Sequence, residues 1–369
     1  MQITVNARTL TAQLSKNIKV VEQRNTIPIL GCVRLLLDGA QLKLITTDLD
    51  MWVTTRDDVQ ANKEDTGEFD ICLPAAELLA LTKSMGNRDI VLVVLPNNLV
   101  SFHDIAERVS GEMKCYPPAD WPDPKSDDGE VRQESFTNGR WRSIVDKIDL
   151  AISTEETRYY LNGMHIMFND DGMYAEATDG HRLVRVIIDK EPRKPMENSL
   201  IVPRKTIALS KVLCEPDVKW FFTYQSARFE SGNVVVHSKL IDSIYPDTNR
   251  VIPEEGKHSI VINREEWIDT ITMARALASG RGRAIKITTN GYEVVMGSND
   301  PDLGHIEVKV KQKASVDNIS FGLNSKYISE LLKSCDAGDV RVNLQDASSP
   351  VRISDGDPNV TRICMPMRV

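Results

Sequence analysis

The chain has 369 residues, of which 41% are hydrophobic and 27% charged, and a formal net charge of −8. That length is too great for one compact core and fits two or three ordinary domains, while the balance of residues is that of a soluble globular protein and not of a disordered or membrane one. The opening MQITVNARTL has no apolar run suited to a signal peptide, and no stretch reaches the ~20 apolar residues of a membrane span, so a cytoplasmic protein is expected.

A short strand, an amphipathic helix and several alternating strands recur at roughly 60 to 65 residues. The units start near Ile3, Phe69, Phe136, Leu200, Ile260 and Ile319. In the first, Leu10, Leu14, Ile18 and Val21 make one apolar stripe; in the third, Trp141, Ile144, Val145, Ile148 and Ile152 do the same. The fourth opens on Pro203, suited to a first helical turn, and runs through Ile207 to Leu213. Trp267, Ile268, Ile271 and Ala274 mark the fifth helix, and Ile328, Leu331 and Leu332 the sixth. The expected helical segments are 7–24, 74–85, 138–153, 203–214, 263–279 and 325–335.

Runs such as RLLLDGAQLKLITTD, HIMFNDDGMYAEATD and IKITTNGYEVVMGSND follow the odd-numbered helices. Each holds an Asp-Gly, Gly or Asn-Gly element between two alternating stretches, the pattern of a hairpin. Each ends in a comparable triplet, TTD, ATD or SND, so the chain reads as three copies of a two-unit α+β domain. Exposed, acidic or proline-rich joints near 122–130 and 253–258 separate the copies, giving domains at 1–125, 129–253 and 256–369.

Charge is divided by element. The six helical segments hold 15 Lys and Arg against 8 Asp and Glu, a net of +7, which leaves −15 on the remainder. If the strands form continuous sheet with every helix on its other side, the helices make one basic surface and the outside stays acidic. A ring with a positive lining around a duplex would divide the charge this way. The plainer reading is that Lys and Arg are good helix formers on solvated faces. The fifth segment is net negative through Glu265, Glu266 and Asp269, so a lining would be patchy and its phosphate contacts non-specific and salt-sensitive.

Six cysteines (Cys32, Cys72, Cys115, Cys214, Cys335, Cys364) lie far apart with no C-x-x-C pair, which points to reduced, mostly buried thiols. Asp179 and His181 with a distant serine could be imagined as a hydrolytic set. There is no G-x-S-x-G elbow or H-E-x-x-H spacing to support it, and Asp beside Gly is ordinary turn chemistry.

Seven segments, RNTIPILG (24–31), TTDLDM (46–51), RYYLNGM (158–164), EATDGHRL (176–183), IVPRK (201–205), SKLIDSIYPDTNRVIP (238–253) and CMPMRV (364–369), resemble the bacterial DNA polymerase III beta subunit, the beta sliding clamp family, in the family's order and across the whole chain. The resemblance implies three clamp domains per chain. Two chains would join head to tail into a ring, with helices lining the hole and antiparallel sheets outside. It implies a non-catalytic homodimer that encircles double-stranded DNA, is placed there by a clamp loader, and tethers the replicative DNA polymerase and other clamp-binding-motif proteins. No cofactor or metal is implied, and neither G-x-x-x-x-G-K nor G-x-G-x-x-G occurs.

The family's pocket for partner peptides takes short motifs, often with a glutamine and a Leu-Phe pair. The matching positions are Leu161, Thr178, Gly180, His181, Arg182, Leu183, Pro246, Arg250, Val251, Ile363, Met365, Pro366, Met367 and Arg368. Methionines adapt to varied apolar side chains, which suits such a site; from residue types alone, Met365 and Met367 read rather as a closing strand packed in the core, and it is the full constellation of matched positions that turns them toward the pocket. The positions matching DNA contacts are Arg24, Tyr159, Tyr160, Arg204 and Lys205. Ala12 and Ala76 stand where the family has basic residues, and SFHDIAERVSGEM (101–113) is less basic and less aromatic than the family's usual interface edge. A monomeric peptide-binding scaffold that closes no ring is therefore the alternative.

Overall fold

The computed structural model describes residues 2–22, 26–59, 69–124, 131–195, 200–254, 256–278, 283–336 and 338–369. Arg24 and most of the acidic joint at 122–130 lie outside them. Six helices appear where the repeat predicts them: α1 (Ala7–Asn17), α2 (Ala75–Met85), α3 (Arg140–Ile148), α4 (Arg204–Leu213), α5 (Arg264–Ala274) and α6 (Ser325–Lys333). Each closely follows a short strand.

Two local devices start these helices. Asn6, Asn263 and Asn324 cap α1, α5 and α6, their side-chain oxygens accepting from backbone N–H groups of the first turn. Ahead of α2 and α4 stands a proline, Pro74 or Pro203, that closes the preceding strand. α1 ends earlier than its apolar stripe suggests. Asn17 Nδ2 bonds to Gln13 O (3.1 Å) and Thr55 Oγ1 (2.6 Å), and after Ile18 N to Leu14 O (2.9 Å) the backbone tightens to three-residue closures, Lys19 N to Lys16 O and Val20 N to Asn17 O. Ile18 and Val21 continue the stripe from turns packed on the same core. The six observed helices carry 12 Lys and Arg against 6 Asp and Glu, a net of +6, so the charge division survives the shorter bounds.

The described residues form two compact units, Met1–Arg142 with Ala208–Leu240, and Ser143–Ile207 with Ile241–Val369. The first holds an eight-stranded antiparallel sheet in the order Asp70–Pro74, Cys32–Asp38, Gln41–Thr47, Met51–Asp58, Val234–Lys239, Ser226–Ser231, Val218–Phe222 and Arg132–Phe136. A second sheet of four strands begins with Gln2–Asn6 beside Asp89–Leu95. Within this body each strand leading into a helix pairs with a strand of the neighbouring sequence repeat: Gln2–Asn6 with Asp89–Leu95, and Asp70–Pro74 with Cys32–Asp38. This exchange locks two repeats into one domain. Leu10, Leu14, Leu35, Leu78 and Ile90 fill the core between them.

The second unit has its own eight-stranded sheet: Leu200–Pro203, Gly163–Asn169, Gly172–Thr178, Arg182–Asp189, Val360–Cys364, Val351–Ser354, Asp339–Leu344 and His258–Asn263. Antiparallel seams join successive repeats within each sheet, Val53 opposite Val236 in one and Leu183 opposite Ile363 in the other. The expected continuity of sheet therefore holds inside each unit.

The threefold repeat extends to single hydrogen bonds. Asp48 Oδ1 accepts from the N–H groups of Asp50 and Met51, Asp179 Oδ1 from His181 and Arg182, and Asp300 Oδ1 from Asp302 and Leu303. The aspartate of each TTD, ATD or SND triplet thus closes the same side-chain turn.

One expected hairpin is not formed. IKITTNGYEVVMGSND runs as a single 17-residue strand, Ala284–Asp300, straight through Asn290-Gly291. A two-residue hairpin turn of the Asn-Gly kind needs positive φ at both residues; here Gly291 has φ +61° while Asn290 stays extended. The glycine makes a shift of register instead. Before it the strand pairs with Ser320–Asn324, after it with Gly304–Val316, and Gln312 Nε2 donates to Gly291 O (2.5 Å) across the irregularity. The turn comes ten residues later, at the Asp300 cap.

The cysteines are unpaired thiols, four of them buried. Burial pushes Cys32, Cys72 and Cys214 up to about 12, which makes them poor nucleophiles.

Candidate functional site

Four of the residues matched to the peptide pocket, Thr178, Arg182, Leu183 and Ile363, are assembled by strand pairing in the second unit. Thr178 lies opposite Leu183, and Leu183 opposite Ile363, so the three share one face of the sheet. Leu183 and Ile363 are buried and form a floor. Past the end of strand Val360–Cys364 the chain stays extended: Met365 N donates to His181 O (2.8 Å) and Met367 N to Gly322 O (2.8 Å). Gly322 permits that approach, because a Cβ there would lie 2.5 Å from Met367 O. Met365, Pro366 and Met367 are half-buried on this path and Arg368 is exposed. The closing-strand reading and the pocket reading of these methionines meet here, since the segment both pairs with sheet and keeps side chains partly open.

The loop Ile241–Val251 forms a second wall. Tyr245 is buried with Leu161 and Ile201, and its hydroxyl accepts from Thr178 N (2.9 Å). Its ring stacks on His165 at 4.4 Å and 19°. Burial drives the Tyr245 phenol well above its ordinary pKa, so it stays neutral. Pro246 follows, exposed, and the short turn Thr248–Val251 presents Arg250 and Val251. Arg250 is 84% exposed and pairs with Asp247 at 3.1 Å, a contact worth little in water.

Arg182 behaves differently. Its neighbours in sequence alternate faces, and its guanidinium turns toward α6, pairing with Asp179 (3.1 Å) and Glu330 and lying 4.7 Å over the Tyr327 ring. Only its backbone belongs to the floor strand; its charge is already neutralised within the chain. His181 stacks on the same ring, at 5.8 Å and 15°. Beside them is a cleft of about 400 Å³ bordered by Glu155, His181, Arg182, Arg204 and Tyr327.

Gly180, between Asp179 and His181, has φ +86°, and the equivalent position in the first repeat is Leu49 at +77°. Left-handed backbone costs an L-residue about 1–2 kcal/mol, and a Cβ on Gly180 would also meet Arg158 Nη1 at 2.5 Å, a flexible end that can withdraw. Gly180→Ala is expected to lower stability by about 1–2 kcal/mol in urea unfolding; no loss would mean that the turn relaxes freely.

The described candidate DNA residues, Tyr159, Tyr160, Arg204 and Lys205, also gather. Segment Glu156–Leu161 carries Tyr159 and Tyr160, whose rings meet edge to face at 6.0 Å and 78°. Tyr160 is half-committed to the Leu161–Tyr245 cluster, whereas Tyr159 is 54% exposed and open to stacking. Arg204 N donates to Asn162 O (2.9 Å), which sets the first turn of α4 beside this segment. Arg204 and Lys205 are both exposed there, adding two cations to the positive end of a helix.

Sequence reasoning passed over several residues that build this face: Tyr245, Tyr327, and a connected set of buried His165, Glu176 and Thr248 with half-buried Arg185. One signal was available, a glutamate in the strand run MYAEAT where the flanking residues are small and apolar. Among the described residues no cluster of His, Cys, Asp or Glu is arranged to hold a metal, and no helix is long and apolar enough to cross a membrane.

Known proteins match this chain along its whole length. The N-terminal, central and C-terminal domains of the DNA polymerase III beta subunit match residues 1–106, 136–247 and 249–368. The beta sliding clamp of Pseudomonas aeruginosa is 28% identical over 373 residues, and that of Caulobacter vibrioides 29% over 377, each covering all of both chains. Among solved structures, the DNA polymerase III beta subunit of Pseudomonas aeruginosa superposes with a TM-score of 0.93 at 26% identity. The sliding clamp of Bartonella birtlesii, solved bound to griselimycin, gives 0.90 at 29%, again over the full length of both chains. With three repeats, interlocked half-sheets and all three domain matches in order, this chain belongs to the DNA polymerase III beta subunit family.

Proposed function

We propose that this protein is the sliding clamp of a replicative DNA polymerase. Two copies close head to tail around duplex DNA, and the ring tethers the polymerase, the clamp loader and other partners that carry a clamp-binding motif. It is non-catalytic: it supplies processivity by topology and by docking. The observation that carries the reading is the full-length match, three domains in order with backbone similarity of 0.90–0.93 to clamps over every residue of both chains. The division of charge, basic helices in an acidic protein, suits a ring that slides on phosphates without reading bases.

Domains at 1–125, 129–253 and 256–369 and a cytoplasmic location fit this role. The partner peptide sits on the Thr178–Leu183–Ile363 floor between the Met365–Arg368 segment and the Tyr245–Val251 loop. Griselimycin bound to the Bartonella birtlesii clamp supports the presence of such a pocket in the family. Tyr159, Arg204 and Lys205, together with Arg24 and Tyr160, contact the DNA.

Loading onto nicked circular DNA with a clamp loader, followed by linearisation, tests the ring. Retention on the circle and loss from the linear product is the expected result. Retention on linear DNA would make this an ordinary DNA-binding protein. Failure to load, with a mass by light scattering of 41.4 kDa and not twice that, would leave a monomeric peptide-binding scaffold.

A further inference from the structure

We infer that Glu176 is a positioning residue for the peptide pocket: its buried carboxylate fixes the Thr248–Val251 turn, and with it Arg250 and Val251, against the floor of the sheet. The inference rests on reading this face as the peptide site.

Glu176 lies in the middle of strand Gly172–Thr178 between two fully buried alanines, and its side chain is 1% exposed. A carboxylate in such a place must be satisfied on all sides. His165 and Arg185 stand directly opposite it on the two flanking strands. His165 Nδ1 lies 2.9 Å from Oε1, and because an ionised carboxylate only accepts, the imidazole proton is on Nδ1. Arg185 Nε (2.9 Å) and Thr248 Oγ1 (2.7 Å) both donate to Oε2. Burial alone would raise the Glu176 pKa; the bond from His165, the charge of Arg185 and the bond from Thr248 outweigh it and hold the group below the ordinary carboxylate range.

The same network reaches the loop at three further points. Arg185 Nη2 donates to Thr248 Oγ1 (2.6 Å) and Nη1 to Asn249 Oδ1 (2.8 Å), and the His165 ring stacks on Tyr245, which accepts from Thr178 N. The loop is thereby tied to the sheet at Tyr245, Thr248 and Asn249. Between the last two anchors and the rim, only Arg250 and Val251 remain to be placed. A loop ordered before the ligand arrives spares binding the cost of ordering it, so loosening the anchor lowers apparent affinity by the fraction of molecules left competent.

The test titrates a fluorescent peptide carrying a glutamine and a Leu-Phe pair into the full-length protein, with thermal unfolding measured in parallel. Thr248→Val keeps the shape and removes the hydroxyl, and is expected to weaken the peptide about ten-fold, a typical effect of one hydrogen bond to a charged group. Thr248→Ser restores the hydroxyl and is expected to bind within two-fold of the parent. Glu176→Gln should weaken binding at least as much as Thr248→Val; if it fails to fold, the Thr248 pair decides alone. A Thr248→Val protein that melts lower yet binds the peptide as the parent does would overturn the inference, because the network would then be structural only. No peptide binding by the parent protein would overturn the pocket reading itself, and the inference with it.

Discussion

A chain ending at Cys364 is expected to fold and to lose peptide binding by at least roughly a hundred-fold, since the residues removed form one wall of the proposed pocket. Strand Val360–Cys364 is complete without the last five residues, and its pairing with Arg182–Asp189 and Val351–Ser354 is untouched. The truncation removes two backbone hydrogen bonds, Met365 N to His181 O and Met367 N to Gly322 O. At about 1 kcal/mol each that is a modest loss of stability. For binding the loss is large. Met365 and Met367 are half-buried, so each offers apolar surface to a ligand without being locked in the core, and their flexible thioethers can fit different partner side chains. Met365→Ala with Met367→Ala keeps the backbone path and should reproduce most of the effect. Unchanged peptide affinity in the truncated protein would move the site away from the C-terminal segment.

How much of this was legible in the sequence depends on the range of the physics involved. The six helices and their leading strands are local: an asparagine cap or a preceding proline starts each of five, and the 3.6-residue stripe follows. The aspartates of TTD, ATD and SND could be aligned by eye, and they make equivalent turns. The third hairpin failed because Asn-Gly allows a turn without requiring one; pairing with Ser320–Asn324 and Gly304–Val316, more distant in sequence, made a through-strand with a bulge the better solution. The exchange of leading strands between units is equally non-local, and no periodicity encodes it.

The site divides in the same way. Thr178, Leu183, Ile363 and Met365 were named from the family resemblance, and strand register brings them together. Arg182 was named with them, but a one-residue step along a strand changes face, and its guanidinium is occupied by Asp179, Glu330 and Tyr327. Glu176 carries no motif. Its meaning appears only when His165 and Arg185 are found opposite it on two other strands.

Arg362→Met is expected to cost about 3–5 kcal/mol at neutral pH, the typical effect of stripping one partner from a buried ion pair. Arg362 is fully buried on the helix-facing side of the C-terminal strand, beside floor residue Ile363. It pairs with Asp355 at 3.1 Å and donates to Ser334 Oγ (2.9 Å) and Ser334 O (2.7 Å) just beyond α6. The Asp355 side chain is itself 3% exposed. Burial would raise its pKa, and the Asp336 amide and the Arg362 charge outweigh that and hold it low. A carboxylate whose folded pKa is depressed adds stability above its unfolded pKa of about 4, and that contribution fades as pH falls through the folded value. The parent protein should therefore weaken below about pH 4 partly through Asp355. Without the guanidinium, burial dominates and the Asp355 pKa rises, so the variant should instead gain relative to the parent as pH falls from neutral toward 4. Urea unfolding of both proteins at pH 7 and pH 5 measures the difference directly. Adding Asp355→Asn removes the stranded charge while keeping one acceptor oxygen for the Asp336 amide, at the cost of the longer bond from the Asp357 amide to the other oxygen, and should recover part of the loss. A single variant within about 1 kcal/mol of the parent at neutral pH would show that the pair only cancels its own desolvation, and that apolar packing holds the floor strand against α6.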